Sequence, residues 1–165
     1  KQLDRLGVDI IEAGFAASSP GDFEAVQTIV REVRRPVIAS LARCVPTDID
    51  RAWEALKNAE HPRIHVFISS SDIHIMHQLR SNPEEVLDTA VASVERAKRY
   101  CENVEFSPMD ATRTNPEYLY QLLEAVINAV SPPLITALAS APASRRACTT
   151  SPFPFTQARY RGVTP

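Results

Sequence analysis

Residues 103–115 read Asn-Val-Glu-Phe-Ser-Pro-Met-Asp-Ala-Thr-Arg-Thr-Asn, and Ser107, Asp110, Thr112, Arg113 and Thr114 crowd polar groups behind a short apolar alternation. A carboxylate beside a guanidinium can move a proton and hold a small anion, or the two can simply fix the loop by bonding each other. Three other positions have comparable chemistry. Glu12 closes the run Val8-Asp9-Ile10-Ile11, and is either a carboxylate facing a site or a structural acid paired with a basic neighbour. Arg43 follows Ser40-Leu41-Ala42 and can grip a carboxylate bidentately or an acid of its own loop. His74 lies just after Ser69-Ser70-Ser71-Asp72 and is the best placed general acid or carbonyl polariser. His65 reads as a satisfied core histidine and His77 as a solvated one, because their spacing with His74 matches no metal-ligand pattern. The serine run lacks a base at nucleophile-elbow spacing, which argues against a serine hydrolase.

The elements that must position these residues alternate regularly. β-Branched runs at 8–13, 36–41, 64–68 and 104–106 read as strands. The strand at 104–106 is expected to end at Ser107-Pro108. Amphipathic stretches follow each one. Ser19-Pro20-Gly21-Asp22, Asn82-Pro83-Glu84-Glu85 and Asn115-Pro116-Glu117 are helix starts, with a capping side chain ahead of a proline. Thr47 is expected to cap a further helix, and residues 72–80 to form a short helix or irregular loop. Gly7 closes a helix that opens the chain. About four βα units follow, so the fold class is α/β with a parallel sheet, either doubly wound or part of a TIM barrel. No Gly-rich phosphate loop follows a strand, while Glu12, Arg43, Ser69–Asp72 and Ser107–Arg113 each stand at a strand end. A barrel builds its site that way, one contribution per strand.

Composition narrows the function. With 44% hydrophobic and 23% charged residues the chain is an ordinary globular sequence, and its net charge of −2 gives no electrostatic footprint for nucleic acid. No apolar run is long enough to span a membrane. Cys44, Cys101 and Cys148 are too far apart for a disulfide framework or zinc site, which points to a reducing cytoplasm. From Ser131 onward there is no Asp or Glu. A boundary is therefore expected near residue 129, with 130–165 an irregular, disordered tail.

Taken together, Gly7–Phe15, Ser18–Phe23, Ser40–Arg43, Ile64–His74 and Val104–Pro108, in that order and spacing, resemble the 2-isopropylmalate synthase family of metal-dependent TIM-barrel acyltransferases and lyases. The resemblance covers residues 1–129 and implies that they form a partial TIM-barrel catalytic domain, about strands two to five of an eight-stranded barrel. It implies a Claisen-type condensation of acetyl-CoA with 3-methyl-2-oxobutanoate, opening leucine synthesis. Homocitrate or citramalate synthesis is the alternative within the class, and a non-catalytic barrel fragment the alternative outside it. A divalent metal (Mn, Mg or Zn) is expected in the full-length parent, with no ligand in this stretch, and the parent is expected to be a homodimer. Within the chain, the resemblance together with the residue chemistry makes His74 and Asp110 the catalytic candidates and Glu12, Arg43, Ser107 and Arg113 the substrate-binding ones. Three departures stand out: the family's first metal-binding strand and its His-x-His strand have no counterpart, and Met109 occupies a position where many members carry glutamate. The chain is accordingly expected to be a fragment, inactive by itself. Codons for Ala129-Val130-Ser131-Pro132-Pro133 can, after insertion of one G, read Ala-Gly-Val-Thr-Thr, which is close to the family pattern, so the tail is expected to arise by frameshift.

Overall fold

The computed structural model describes residues 1–130. The short helix α1 (Gln2–Leu6) ends at Gly7, whose φ of 84° is the left-handed conformation that glycine adopts without strain. Then come β1 (Ile10–Gly14), α2 (Pro20–Glu32), β2 (Val37–Arg43), α3 (Pro46–Leu56), β3 (Pro62–Ser69), the single turn α4 (Asp72–His74), α5 (Pro83–Tyr100), β4 (Val104–Met109) and α6 (Pro116–Val130).

All neighbouring strands pair in parallel, and their spatial order is the chain order β1-β2-β3-β4. A doubly wound sheet needs a point where the order reverses. None occurs among the described residues, and four consecutive parallel strands joined by helices form the arc of a TIM barrel. Burial alternates accordingly. Ile38, Ala42, Ile64 and Val66 are sealed against the helices, with Val26, Ile49, Leu56, Val94 and Leu122 packed in from the helix side. Burying each large aliphatic side chain is worth roughly 1.5–3 kcal/mol. Ile10, Glu12 and Arg43 alternate onto the opposite face and stay open.

Most helix starts are those the sequence indicates. Ser19 accepts from the Asp22 N–H at 3.1 Å and donates to its carboxylate at 2.7 Å. Asn82 accepts from the Glu85 N–H at 2.9 Å, and Asn115 from the Glu117 N–H at 2.9 Å. Thr47 is not a cap. Pro46 occupies the first turn after Val45, and the Asp48 N–H bonds the Val45 carbonyl. β4 runs past the expected stop at Ser107-Pro108 to Met109, because at the margin of the described sheet a proline breaks no ladder bond that the strand needs. Residues 72–80 resolve into α4 and a π-helical turn, Ile75–Leu79, closed by Arg80 at φ 53°. Of the expected tail at 130–165, Val130 closes α6 and the rest lies outside the described residues. No helix among the described residues is long and apolar enough to cross a membrane.

Candidate functional site

The open sheet face carries a chain of three side chains from three strands. Along β3, side chains alternate, so Arg63, His65, Phe67 and Ser69 leave the helix layer while Ile64, Val66 and Ile68 enter it. His65 accordingly stands on the open face, though its side chain is only 14% exposed. Its Nδ1 lies 2.5 Å from Glu12 Oε2 on β1, and its Nε2 lies 2.7 Å from Ser107 Oγ on β4. A carboxylate only accepts, so a neutral His65 carries its proton on Nδ1 and offers the Nε2 lone pair to the Ser107 hydroxyl. Glu105 Oε1 is 3.9 Å from the same Nε2, while its other oxygen accepts from Arg63 at 3.0 Å. Immediately after Glu12 the β1–β2 register slips, so that Gly14 rather than Ala13 opposes Ser40. Such a bulge bends the strand beside the glutamate and redirects the residues beyond it. Gly14 takes φ 145°, and a Cβ there would meet Val26 at 3.5 Å.

The second cluster caps the carboxyl ends of β3 and β4. Each member of the serine run has a different partner. Ser69 donates to Gln78 at 3.0 Å, Ser70 shares a hydrogen with Thr114 at 2.7 Å, and Ser71 lies 3.1 Å from His74 Nδ1. Asp110 sits at φ 64°, turning its carboxylate away from the strand direction. One oxygen accepts from Arg113 at 2.9 Å, and the other faces His74 Nδ1 at 3.3 Å, an ion-pair contact without hydrogen-bond geometry. The Ser71 hydroxyl, followed by Arg113 and His74, holds the Asp110 carboxyl below the usual carboxylate range. Asp110 is therefore an anchored anion and a weak base.

Arg43 is engaged elsewhere. Its Nε and Nη2 bond Asp48 at 2.6 and 3.2 Å, and its guanidinium lies 5.5 Å from the centre of the Phe15 ring. Asp48 raises the Arg43 pKa, by hydrogen bonding first and by charge second.

Of the six residues singled out in the sequence, Glu12 and Ser107 meet at His65, His74 meets Asp110 and Arg113, and Arg43 stands apart on Asp48. The sequence reading missed His65 as a member of the site. The available signal was parity: His65 lies an even number of residues from Ser69 along one strand, hence on the same face. Among the described residues, no group of three His, Cys, Asp or Glu side chains is placed to hold a metal ion. Glu12 and His65, the closest such pair, are bonded to each other.

The family model described as HMGL-like matches residues 1–141. The chain is 60% identical over 129 residues to a 2-isopropylmalate synthase of Ruminiclostridium cellulolyticum, 61% to one of Syntrophus aciditrophicus and 55% to one of Halothermothrix orenii. In each case the match takes 78% of this chain and 25% of the relative, so the chain spans about a quarter of the length of the curated relatives it matches.

Proposed function

The chain belongs to the HMGL-like family, and on that premise we propose that it supplies the 2-oxo acid side of a 2-isopropylmalate synthase site. The reaction proposed is condensation of acetyl-CoA with 3-methyl-2-oxobutanoate. The methyl of the thioester loses a proton, its carbon attacks the keto carbon, the keto oxygen gains a proton, and water releases free CoA. The observation that carries this reading is the Glu12–His65–Ser107 chain on the open face of the barrel arc.

Each residue then has a part. Glu12 fixes the imidazole tautomer and orientation. His65 and Ser107 form a hydrogen-bonding pair that meets the keto or carboxylate oxygens of the substrate; the Ser107 hydroxyl turns from Nε2 to hydrogen-bond the keto oxygen as charge develops there, and water supplies the proton that oxygen gains. Asp110, His74 and Arg113 hold the ends of β3 and β4 in register, so that Ser107 keeps its place. Arg43 contributes rigidity through Asp48 and Phe15 rather than a grip on substrate carboxylate. Met109 cannot accept a proton, and Asp110 beside it is a weak base, so proton abstraction is not supplied by this strand end.

The divalent metal implied by the family does not fit the side chains described, and no step is derived through it. We propose that its ligands come from other residues, and that the 165-residue chain alone releases no CoA.

A chimera tests the assignment. The 129 matched residues replace their counterparts in the R. cellulolyticum relative, and CoA release is followed with acetyl-CoA, divalent metal and a panel of 2-oxo acids. The expected substrate is 3-methyl-2-oxobutanoate, in preference to pyruvate or 2-oxoglutarate, with kcat/KM falling about a hundredfold in His65→Ala. A different preferred acid, or an unaffected His65→Ala, overturns the reading. Metal-dependent turnover by the 165-residue chain alone overturns its inactivity.

A further inference from the structure

Two diagonal contacts run side by side between β3 and β4. The ladder sets His65 opposite Glu105, and adjacent strands lie about 4.8 Å apart, so by simple pairing the Glu105 carboxylate belongs to the imidazole. Both residues turn along their strands. His65 reaches forward to Ser107 at 2.7 Å, and Arg63 reaches forward to Glu105 at 3.0 Å. The Arg63 side chain is 20% exposed and makes a second bond, from Nε to Asn103 Oδ1 at 2.8 Å. That bond fixes the guanidinium where it meets Glu105.

The charged groups around the ring are few. β1 brings Glu12 to Nδ1, and β4 brings Glu105 to within 3.9 Å of Nε2. β2 runs between β1 and β3, and sets Ala39 opposite Glu12 and Leu41 opposite His65, so it adds no charge. His65 therefore stands between two carboxylates, and among the described residues the cation set against them is Arg63. Nε2 has room for one partner. A neutral ring accepts there from Ser107. An imidazolium carries N–H on both nitrogens, and the anion on the Nε2 side is Glu105. In that state the ring turns from Ser107 to Glu105 and the pair comes apart.

We propose that Arg63 is a positioning residue for the relay of Glu12, His65 and Ser107. By holding the Glu105 carboxylate it favours the neutral imidazole and reserves Nε2 for the Ser107 hydroxyl. Arg63 acts through Glu105 and touches no reacting atom. The assignment rests on the reading that condensation takes place at the His65–Ser107 pair.

Long-range 1H–15N spectra of the 165-residue chain at pH 7 measure the ratio of imidazolium to neutral ring at His65, whose signals are those lost in His65→Gln. Arg63→Met is expected to raise that ratio about tenfold, because Glu105 then faces Nε2 as an unpaired anion. Adding Glu105→Gln to Arg63→Met is expected to return it to within about twofold of the native value. Loss of a merely structural arginine is not mended by removing a second charge. Glu105→Gln alone is expected to lower the ratio about threefold, and decides the result if melts show Arg63→Met unfolded. An unchanged ratio in folded Arg63→Met, no return in the double variant, or an unchanged or raised ratio in Glu105→Gln overturns the proposal.

In the chimera, Arg63→Met is expected to lower kcat/KM about threefold or more at pH 7, with the deficit shrinking as rising pH restores the neutral ring. If the ratios move as expected while CoA release ignores both Arg63→Met and His65→Ala, Arg63 sets the relay and the reading of the reaction alone fails. If His65→Ala has its hundredfold effect while the ratio ignores Arg63→Met, the positioning assignment alone fails.

Discussion

His65 Nε2 and Ser107 Oγ meet at 2.7 Å across neighbouring strands, although the ladder sets His65 opposite Glu105 and Ser107 opposite Phe67. The contact is diagonal, made by an imidazole that leans along its strand. On its other side the same ring reaches Glu12 on β1, past β2. Strands two apart lie about 9.5 Å from each other in a flat sheet. Two long side chains on a concave face close that distance, so the bridge expresses the curvature of the barrel arc.

The first prediction concerns the proton on that ring. In the native chain the neutral imidazole is expected to be the Nδ1–H tautomer, held by the Glu12 carboxylate. A Glu12→Gln side chain can turn either its carbonyl or its amide to the ring, and the preference for one tautomer weakens. Long-range 1H–15N spectra of the histidines should show one strongly protonated nitrogen in the native chain and a more even pair in the variant. An unchanged pattern would mean that Glu12 does not set the tautomer.

The second concerns acid. Asp50 accepts from Arg96 at 2.7 and 2.8 Å and from Tyr100 at 2.8 Å, tying α3 to α5. The Arg96 hydrogen bonds lower its pKa, with a smaller contribution from Tyr100. Its carboxylate form is thus favoured in the folded state. That stabilisation is complete above the unfolded value near 3.9 and is lost as pH falls through the folded value. With the Asp50 side chain 39% exposed, solvent screening limits the effect, and Asp50→Asn should cost about 1 kcal/mol at pH 7. Urea unfolding of both chains should show that difference at pH 7 and a much smaller one near pH 3. A difference that grows with acid would contradict the sign.

The third separates the two sides of the helix layer. Ile64 is fully buried on β3, whereas Ile127 on α6 is 59% exposed. Ile64→Ala should cost about 2–5 kcal/mol and Ile127→Ala about 0.5 kcal/mol or less. Equal losses in urea titrations would mean that the described outer face of α6 is covered in solution.

How far the sequence carries depends on the range of the interaction. The alternation of strand and helix, and the caps at Ser19, Asn82 and Asn115, are set within a few residues, and the structure has them where local chemistry predicts. Pro108 misled locally, because a proline ends a strand only where its missing N–H is needed, and that depends on whether the strand is flanked. The partners of the candidate residues were the least legible part. Arg43 could have gripped any of several acids, and its choice of Asp48 follows from Pro46 setting the first turn of α3. His65 looked like core because a single histidine in an apolar run usually is. Only the pairing of four strands brings Glu12, 53 positions earlier in the chain, onto its ring.

The last prediction returns to Met109 and Asp110. Met109 belongs to β4 and lies two residues beyond Ser107, so alternation places it on the relay face. Asp110 is already in the left-handed conformation, and its carboxylate turns to Arg113 and His74. Adjacency in sequence therefore does not make Asp110 a replacement for a carboxylate at Met109. In the chimera, Met109→Glu should raise CoA release at saturating substrates at least about tenfold by placing a proton acceptor on the open face. Asp110→Asn should leave the pH dependence of that rate in place, because it removes an anchor and not the base. It should also lower the melting temperature, since Arg113 and His74 lose their anion. If Asp110→Asn instead abolished turnover in the Met109 chimera while the melt stayed unchanged, Asp110 would be the proton acceptor, and its pairing with Arg113 and His74 would have to open during the reaction.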